Sequence, residues 1–406
     1  MSTIEEKFSR LGMENAPGQE SRSKEESLDL RGEPLLGRAV DFSHGDVDAF
    51  TPIPGSLNHF INGVENIGGR QAYTEYRGGS ETLSMLSEKL SLFTGCAIDA
   101  KQGMILTPGT QGALFLAMGA LVGRGDKVAI VEPDYFANRK LVEFFDGQLV
   151  PVKMDYFGCR DRAGLDLDQL ENAFRSGVKL FLFSNPNNPV GAVYSPEEIH
   201  SIAELAGRYG VSLIVDELYS RQIFDGRRYT HLCAEKNAPA QMVTILGPSK
   251  TESMSGYRLG VAFGSPVIIE RMEKLQAIVS LRAAGYCQAV FASWFNEPEG
   301  WMAQRIAEHQ QIRDDLVGMF SSCKGVQVRP TEAGSYLFPQ LPPLDVDIKS
   351  FVKILRCHAQ VTVTPGTEFG PQFTNSIRLN FSQDAAAARA AVERLLCLIE
   401  RYRVYR

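Results

Sequence analysis

The chain has 406 residues, of which 44% are hydrophobic and 22% are charged, an ordinary balance for a soluble globular protein. A net charge of −6 argues against nucleic acid or an anionic membrane as a partner. No apolar run approaches the roughly 20 residues that a membrane helix needs. The seven cysteines form no C-x-x-C pair and have no His at zinc spacing, so they suggest reduced thiols in a cytoplasm and no metal site.

The N-terminal region, residues 1–35, is polar and charge-rich, and we expect a loose, flexible arm or a short helix there. It lacks the apolar core of a secretory signal, so we expect a cytoplasmic protein. From about Gln71 onward, strand and helix signals alternate along the chain. Continuous apolar runs predict buried strands at Lys127–Pro133, Leu180–Ser184, Val211–Asp216 and Met242–Leu246. Such strands, separated by helices, indicate a mostly parallel sheet covered on both faces.

The helix between two of these strands can be predicted in detail. Ser195 is the expected N-cap, Pro196 occupies the first helical position, and Glu198 completes a capping box. Gly210 is expected to end the helix. Strand–helix–strand units of this kind bind ligands at the carboxyl ends of their strands.

After about Glu297 the pattern changes to a long amphipathic segment at Trp301–Phe320, strands around 334–338 and 376–381, and a final helix from Asp384 to Tyr402. We interpret this region as part of a second, smaller α+β domain. The predicted division is a large domain at 69–297 and a small domain built from 36–68 and 298–406.

Polar side chains follow several of the predicted strands. Lys250 comes just after Met242–Leu246, where an amine is badly placed for solvation but well placed to form a Schiff base with an aldehyde cofactor. Asn188 and Asp216 lie at or just beyond other strand ends, and Arg378 lies in a later strand. One cofactor uses all of these groups at once, and it is pyridoxal 5'-phosphate.

These motifs resemble those of the class I and II aminotransferases, pyridoxal-phosphate enzymes with the aspartate aminotransferase fold (fold type I). The resemblance runs from about Val40 to the C-terminus, and it includes the spacings from Asn188 to Asp216 and from Lys250 to Arg258. It implies a large domain with a mostly parallel, seven-stranded sheet flanked by helices. It also implies transfer of an amino group between an L-amino acid and a 2-oxo acid.

The resemblance assigns roles at the reacting end of the cofactor. Lys250 would hold the cofactor and move the proton between the substrate and the cofactor. Asp216 would pair with the pyridine nitrogen. Asn188 and Tyr219 would hydrogen-bond the phenolic oxygen, and Tyr135 would stack on the ring.

Further roles concern the phosphate, the substrate and the partner subunit. Arg258, Ser249 and the helix start at Thr110 and Gln111 would bind the phosphate. Tyr73 would reach the phosphate in the neighbouring subunit's site, which implies a homodimer with shared active sites. The expected substrate-binding residues are Gly45, His44, Asn188 and Arg378, and Phe369 would shield the site from solvent.

Departures from the family pattern leave the exact reaction open. Gly247 occupies a position where the family usually has a phosphate-binding Ser, a contact that Thr110 or water could replace. Glu252 either adds a carboxylate near the Schiff base or faces solvent or an Arg. His44 is either a second acid/base group or a structural residue, and Asp46 and Asp48 either meet a cationic substrate tail or cap a turn. Arg282 either binds a second substrate carboxylate or pairs with Glu252.

Several functions therefore remain as hypotheses. The first is an aminotransferase. The second is a specialised enzyme on the same scaffold, such as an oxygen-using arginine-type oxidase, or a lyase or cyclase of secondary metabolism. A non-catalytic sensor would usually carry a DNA-binding domain, for which the N-terminal arm is too short. A nicotinamide-dependent dehydrogenase is disfavoured because no G-x-G-x-x-G opens a helix after a strand.

Overall fold

The computed structural model describes residues 4–11, 28–45, 49–68 and 73–405. The helices in this part of the chain are α1 (Ile4–Leu11), α2 (Ser56–Asn62), α3 (Ser80–Thr94), α4 (Gly109–Leu121), α5 (Phe136–Phe144), α6 (Leu167–Arg175), α7 (Pro196–Tyr209), α8 (Pro266–Val279), α9 (Gly285–Gln288), α10 (Trp301–Ser322), α11 (Ile348–Ala359) and α12 (Ala385–Tyr402). Shorter helical turns lie at Gly63–Gly68, Leu232–Ala234, Ser255–Tyr257, Ala289–Ser293 and Gly366–Phe369.

The strands are β1 (Val40–Asp41), β2 (Met104–Pro108), β3 (Lys127–Glu132), β4 (Gln148–Lys153), β5 (Leu180–Ser184), β6 (Ser212–Asp216), β7 (Met242–Leu246), β8 (Leu259–Gly264), β9 (Tyr336–Leu337), β10 (Val361–Thr362), β11 (Thr364–Pro365) and β12 (Ile377–Asn380). Seven of them form one sheet in the order β2-β8-β7-β6-β5-β3-β4. Within it β8 is antiparallel to both of its neighbours, and the other adjacent pairs are parallel. The mostly parallel, seven-stranded sheet predicted from the sequence is therefore confirmed.

Helices cover both faces of this sheet, as the continuous apolar strands require. In β5 every residue is buried. Phe181 and Phe183 pack with residues of α6 and α7 in one hydrophobic cluster, whereas Leu180 and Leu182 pack with α4, α5 and α8 in another. This alternation follows from the two-residue period of a strand, which sends successive side chains to opposite faces. Each face of the sheet thus has its own core.

Helix α7 begins and ends where the sequence predicts. The Ser195 hydroxyl accepts a hydrogen bond from the Glu198 amide, and the Glu198 carboxylate accepts one from the Ser195 amide. The same carboxylate accepts bonds from three backbone amides at 163–165, so it also anchors the preceding loop. Gly210 ends the helix with φ of +65°, in the left-handed region that favours glycine.

A separate hydrophobic cluster joins the N-terminal and C-terminal parts of the chain. Val40 and Phe42 pack there with residues of α10, α11 and α12. Strands β11, β12 and β9 form a three-stranded antiparallel sheet beside it, and β1 pairs with β10. This arrangement supports a small domain built from both ends of the chain, and its boundaries near 35, 68 and 297 stay a prediction.

Two other expectations concern the N-terminus and membranes. The sequence predicts a loose arm or a short helix at residues 1–35, and the structure has the short helix α1 there. Lys7 of this helix is 4.6 Å from the centre of the Phe144 ring of α5. The remainder of the predicted arm, apart from 28–35, lies outside the described residues. Among the helices that the structure describes, none is long and apolar enough to cross a membrane.

Candidate active site

A cavity of about 250 Å³ opens at the carboxyl ends of β5, β6 and β7. The register of the sheet explains why polar groups meet there, since Ser184, the last residue of β5, is paired with Asp216, the last residue of β6. The cavity is lined by Ser43, Thr110, Gln111, Leu114, Tyr135, Phe136, Ser184, Pro186, Asn188, Asp216, Leu218, Tyr219, Ser249, Lys250, Ser255, Arg258, Tyr336 and Arg378. Most of the predicted site residues are therefore brought together by the fold.

One end of the cavity is formed by the first residues of α4 and by Arg258. The amide groups at a helix N-terminus favour an anion, and the guanidinium adds a formal positive charge. The backbones are tightly packed here: a Cβ added at Gly260 would lie 2.4 Å from the carbonyl carbon of Gly109, and one at Gly109 would lie 2.3 Å from Arg258 Nη2. Glycine at both positions lets β8 bring Arg258 next to the start of α4.

The departure at Gly247 has a steric explanation at the same end. A Cβ added at Gly247 would lie 2.9 Å from Thr110 Cγ2 and 3.0 Å from the carbonyl oxygen of Leu259. The Thr110 side chain thus occupies the space that a serine at 247 would need. The hydroxyl groups available at this end belong to Thr110, Ser249 and Ser255, which all line the cavity.

Asp216, the last residue of β6, also lines the cavity. Its Oδ1 accepts a hydrogen bond from the Leu218 amide at 3.1 Å, and no cation in the described part of the chain forms a salt bridge with it. Burial, reinforced by the neighbouring charge of Glu217, raises the pKa of Asp216 to about 6 despite that hydrogen bond. A cationic or protonated partner inside the cavity would stabilise the charged form of this carboxylate.

A second carboxylate, Asp134, is buried and interacts electrostatically with Asp216. It accepts hydrogen bonds from the Ser184 hydroxyl, from the Tyr135 amide at 2.7 Å and from Asn138 Nδ2 at 3.1 Å. Burial raises the pKa of Asp134 to about 7, although these hydrogen bonds act in the other direction and the charge of Asp216 adds to the rise. Through Ser184, which lines the cavity, Asp134 is connected to the site.

Arg378 forms the third charged corner of the cavity. It lies in β12, is 2% exposed, and donates to Asn188 Oδ1 and to the Ser43 carbonyl, each at 3.2 Å. Its Nε is buried and has no hydrogen-bond partner. Phe369 and Tyr336 flank the guanidinium, at 4.8 Å and 4.3 Å from the ring centres. A guanidinium that lines a cavity is suited to bind a carboxylate.

Tyrosines complete the wall near Lys250. The Tyr135 hydroxyl donates to Gln111 Oε1 at 3.0 Å, and burial raises the pKa of Tyr135 well above its ordinary value. The Tyr219 hydroxyl donates to the Tyr336 hydroxyl at 2.9 Å. Lys250 itself follows β7 on a tight loop whose Ser253 amide donates to the Lys250 carbonyl at 2.9 Å.

Glu252 does not reach the cavity. It is 1% exposed, its Oε1 is 2.6 Å from Arg221 Nη1, and it accepts a hydrogen bond from Trp294 Nε1 at 3.1 Å. Arg221 also pairs with Glu297 at 2.5 Å. Burial raises the pKa of Glu252 more than Arg221 and Trp294 lower it. Of the two hypotheses for this residue, the Arg-paired structural role agrees with the structure.

Arg282 is not the partner of Glu252 either. It donates to the Thr74 carbonyl at 2.6 Å, and its guanidinium carbon lies 4.4 Å and 4.7 Å from the ring centres of Tyr73 and Tyr76. Its Nε is buried without a hydrogen-bond partner. Tyr73 itself is 66% exposed and does not line the cavity. Tyr73 and Arg282 therefore form one unit on the surface.

The structure describes only part of the loop that follows β1. Ser43 lines the cavity, whereas the His44 side chain is 67% exposed and lies 3.4 Å from Asp41 Oδ2. Gly45 lies beside Ser382, since a Cβ added there would be 3.4 Å from the Ser382 side chain. The structure therefore does not bring the His44 side chain or Gly45 into this cavity. Asp46 and Asp48 lie outside the described residues.

Sequence reasoning missed Tyr336, Asp134 and Ser184. The strand that carries Tyr336 was predicted, but nothing in the sequence shows that it faces Lys250 across two different sheets. Ser184 is the last residue of a predicted strand, so the strand-end argument that selected Asp216 could have found it. Asp134 follows β3 in the same way.

Comparison with known proteins agrees with this geometry. The family model described as "Aminotransferase class I and II" matches residues 40–395. A crystal structure of an aspartate aminotransferase from Rhodobacter sphaeroides 2.4.1 is 59% identical, with a TM-score of 0.93, and covers 99% of this chain and 100% of that chain. An aspartate aminotransferase from Sulfolobus acidocaldarius is 29% identical over 339 residues, which are 81% of this chain and 82% of that protein. The fold is also shared with an aspartate aminotransferase from Thermus thermophilus with maleate, at 22% identity and a TM-score of 0.82, over 98% of this chain and 100% of that one.

Proposed function

The chain belongs to the class I and II aminotransferase family, and we propose that it transfers the amino group of L-aspartate to a 2-oxo acid with pyridoxal 5'-phosphate as cofactor. That it is an aminotransferase follows from the family, which also implies the cofactor. The proposed parts are L-aspartate as the amino donor, the roles of the individual residues and the dimer. The observation that carries the proposal is that Lys250, Asp216, Arg258 and Arg378 surround one cavity. Nothing among the described residues favours the oxidase, lyase or cyclase alternative.

The residues around the cavity fit this cofactor. Arg258, Ser249 and the N-terminus of α4 with Thr110 and Gln111 suit a phosphate group. Asp216, without a cation to pair with, suits a protonated ring nitrogen on the other side. Tyr135, which lines the same cavity, would offer an aromatic face to the ring. Bound there, the cofactor would supply an aldehyde for the amine exchange and a ring that accepts the electron pair of the broken α-C–H bond.

The proposed chemistry of this chain centres on Lys250. Its amine would take the proton from the α-carbon of the substrate and return it to the neighbouring cofactor carbon. Asp216 would stay a carboxylate beside the ring N–H, and Asn188 and Tyr219 would donate to the phenolic oxygen. Asn188 also accepts from Arg378, so one amide would connect the cofactor to the substrate-binding arginine.

The proposed substrate contacts use two arginines, Arg378 and Arg282. Arg378 would bind the α-carboxylate that all amino acids share. In the described cavity the cations Lys250, Arg258 and Arg378 then all have roles, so a side-chain carboxylate needs another partner. We propose the partner subunit's Arg282, which would enter the site together with Tyr73. Relatives named aspartate aminotransferases support aspartate as the donor.

A second copy of this chain is the partner that the surface fits. Large apolar side chains are exposed on α2, the turn after it, the segment around Tyr73, the end of α8 and the start of α9. They are Leu57, Ile61, Val64, Tyr73, Tyr76, Ile278, Val279, Leu281 and Tyr286. α2 contacts α9 and the turn after α2, so part of this apolar surface is continuous. Exposed patches of this kind usually mark an interface, and this one includes Arg282's aromatic neighbours.

An absorbance experiment tests the function. Purified protein loaded with pyridoxal phosphate is mixed with L-aspartate, L-alanine or L-arginine. We expect aspartate to bleach the visible band and a 2-oxo acid to restore it. A band that decays only when oxygen is admitted would contradict transamination, and bleaching by alanine or arginine in preference to aspartate would contradict the substrate.

The Arg282→Gln variant tests the substrate contact separately. Loss of a charge-assisted pair should raise KM for aspartate by about tenfold or more. KM for alanine should stay unchanged, because alanine has no second carboxylate. Arg271→Gln, which removes an exposed arginine of α8, is the matched control. Equal losses with aspartate and alanine would mean that Arg282 supports the fold and does not bind the substrate.

A further inference from the structure

Tyr336 contacts two of the proposed functional groups and lines the same cavity as a third. It is the first residue of β9, pairs with Asn380 of β12, and is 5% exposed. Its ring packs edge-on against Tyr219, with the centres 5.5 Å apart at 79°, and lies 4.3 Å from the Arg378 guanidinium carbon. Its hydroxyl accepts from Tyr219 at 2.9 Å and shares the cavity with Lys250.

The backbone before Tyr336 fixes this contact. Gly334 has a φ of +74°, and a Cβ added there would lie 3.1 Å from two ring carbons of Tyr219. The Gly334 amide also donates to the Gln222 carbonyl at 2.9 Å, three residues beyond Tyr219. The Tyr219 ring is therefore held between Gly334 and the Tyr336 ring. The two hydroxyls meet because both rings are fixed, and not because flexible side chains happen to touch.

The charges around the pair affect the pKa values of the two phenols in opposite directions. Burial opposes ionisation of Tyr336, but Lys250 and Arg378, together with hydrogen bonds from Tyr219 and Asn380, outweigh it, so the pKa of Tyr336 lies below its ordinary value. Burial and the contact with Tyr336 raise the pKa of Tyr219. Tyr135 is the other titratable group that faces the pair. The surroundings thus stabilise the ionised form of Tyr336 and not that of Tyr219, and the hydrogen bond that Tyr219 donates to Tyr336 is part of that stabilisation.

A phenol has a single hydrogen to donate. Tyr219 cannot point it at Tyr336 and at the cofactor's phenolic oxygen at the same time. We propose that Tyr336 is a positioning residue of the transamination site, which acts through Tyr219 by competing with the cofactor's phenolic oxygen for the Tyr219 hydrogen. This inference rests on the proposed function, since it needs a cofactor with such an oxygen.

The competition has a measurable consequence. A hydrogen bond to the phenolic oxygen stabilises its anionic form and lowers the pH at which the visible band of the holoenzyme titrates. If Tyr336 draws the hydrogen away, removing its hydroxyl returns the full bond to the cofactor. Tyr336→Phe should therefore lower the midpoint of the band, by about 0.5 to 1 pH unit for one hydrogen bond.

The experiment is a pH titration of the visible band in holoenzyme of the wild type, Tyr336→Phe, Tyr219→Phe and the double variant. We expect the Tyr336→Phe shift to vanish in the Tyr219→Phe background, because residues that act through one another are not additive. Tyr194→Phe is the matched control, since it removes a buried hydroxyl that has no partner and does not line the cavity. Tyr336→Leu, as a second variant with different packing, should shift the midpoint in the same direction.

Other outcomes would overturn the inference. An unchanged midpoint of the band titration in Tyr336→Phe would show that Tyr336 does not compete for the Tyr219 hydrogen. A raised midpoint would show that Tyr336 donates to Tyr219. A shift that persists without the Tyr219 hydroxyl would show that Tyr336 does not act through Tyr219. A wild-type protein without a titrating cofactor band would overturn the proposed function as well, so the two failures are distinguishable.

Discussion

Asp134 is buried and Asp216 lines the cavity, and the pKa values of these two acids are raised to about 7 and about 6. The main cause is burial, and the charge of Asp216 adds to the rise at Asp134 whereas the charge of Glu217 adds to the rise at Asp216. In the folded protein without cofactor these carboxyl groups stay protonated to a higher pH than in the unfolded chain, where their ordinary pKa is 3.8. Ligand binding and proton binding at this site are therefore linked.

This linkage predicts how stability depends on pH. Since the folded pKa of Asp134 lies above the unfolded value, its contribution is fully present below about pH 4 and is lost as the pH rises through about 7, on the order of 2 to 4 kcal/mol. In cofactor-free protein, Asp134→Asn should flatten the decline in Tm over that window. Thermal unfolding from pH 4.5 to 8 measures it. Asp168→Asn, on the exposed side of α6, should follow the wild type. Parallel curves for wild type and Asp134→Asn would contradict the raised pKa.

At the scale of elements, the phosphate end of the cavity depends on how closely β8 approaches the start of α4. The antiparallel pairing of β2 and β8 aligns Thr107 with Gly260 and Pro108 with Leu259. Arg258 directly precedes β8, and α4 directly follows β2, so one strand pair positions both parts of the anion site. The register of β2 and β8 is therefore a requirement for binding as well as for folding.

Gly260→Ala tests that requirement. The added Cβ would meet the Gly109 backbone at 2.4 Å, which cannot be relieved by moving a side chain. We expect a loss of about 2 kcal/mol or more in the free energy of unfolding, and weaker cofactor binding. Denaturant unfolding and cofactor titration measure the two effects. Gly256→Ala, in open space on the adjoining loop, should change neither. A stable Gly260→Ala protein with wild-type cofactor affinity would show that the strand pair can separate at no cost.

Elements whose pattern is local were predictable from the sequence. β5, β7 and α7 have the bounds that their apolar runs and capping residues predict. The strand predicted around 334–338 is only two residues long, because Gly334 turns with a positive φ and its amide donates to Gln222. Strand length at that point depends on a distant partner, which a sequence window does not contain.

The same distinction applies to the site. Residues at strand ends, such as Asn188 and Lys250, could be selected because the ends of neighbouring parallel strands meet. The orientation of Glu252 could not, since it is set by Arg221, which lies 31 residues earlier. Nor could the partners of Arg282, because Tyr73 and Tyr76 come from a segment about 200 residues away. Tertiary contacts of this range decide between hypotheses that the sequence leaves equal.

At the scale of the whole molecule, the proposed dimer makes each active site a shared structure. Lys250 lines the cavity of its own chain, whereas Tyr73 lies on the exposed apolar surface with Arg282. If Tyr73 contributes to the active site of the other subunit, a chain inactivated at Lys250 can still provide its Tyr73 to that site. A dimer of one Lys250 variant chain and one Tyr73 variant chain would then contain one intact site, formed by the unchanged Lys250 of one chain and the unchanged Tyr73 of the other.

Mixing two variants with complementary defects tests this arrangement. Lys250→Ala should abolish activity, and Tyr73→Ala should reduce it about tenfold or more. Refolding them together at equal amounts should restore about one quarter of wild-type activity, since half of the dimers are mixed and each contains one intact site. The assay is transamination by the mixture against each variant refolded alone. Activity no higher than the average of the separate variants would contradict shared sites.

The cavity draws its walls from two sheets that belong to different hydrophobic cores. Asp216 and Lys250 follow strands of the seven-stranded sheet, whereas Arg378 and Tyr336 belong to the three-stranded sheet, beside the cluster that contains Val40 and α12. A ligand that contacts both groups binds only when both cores are folded. It therefore couples their unfolding, and two calorimetric units that melt independently would merge into one cooperative transition once the site is filled.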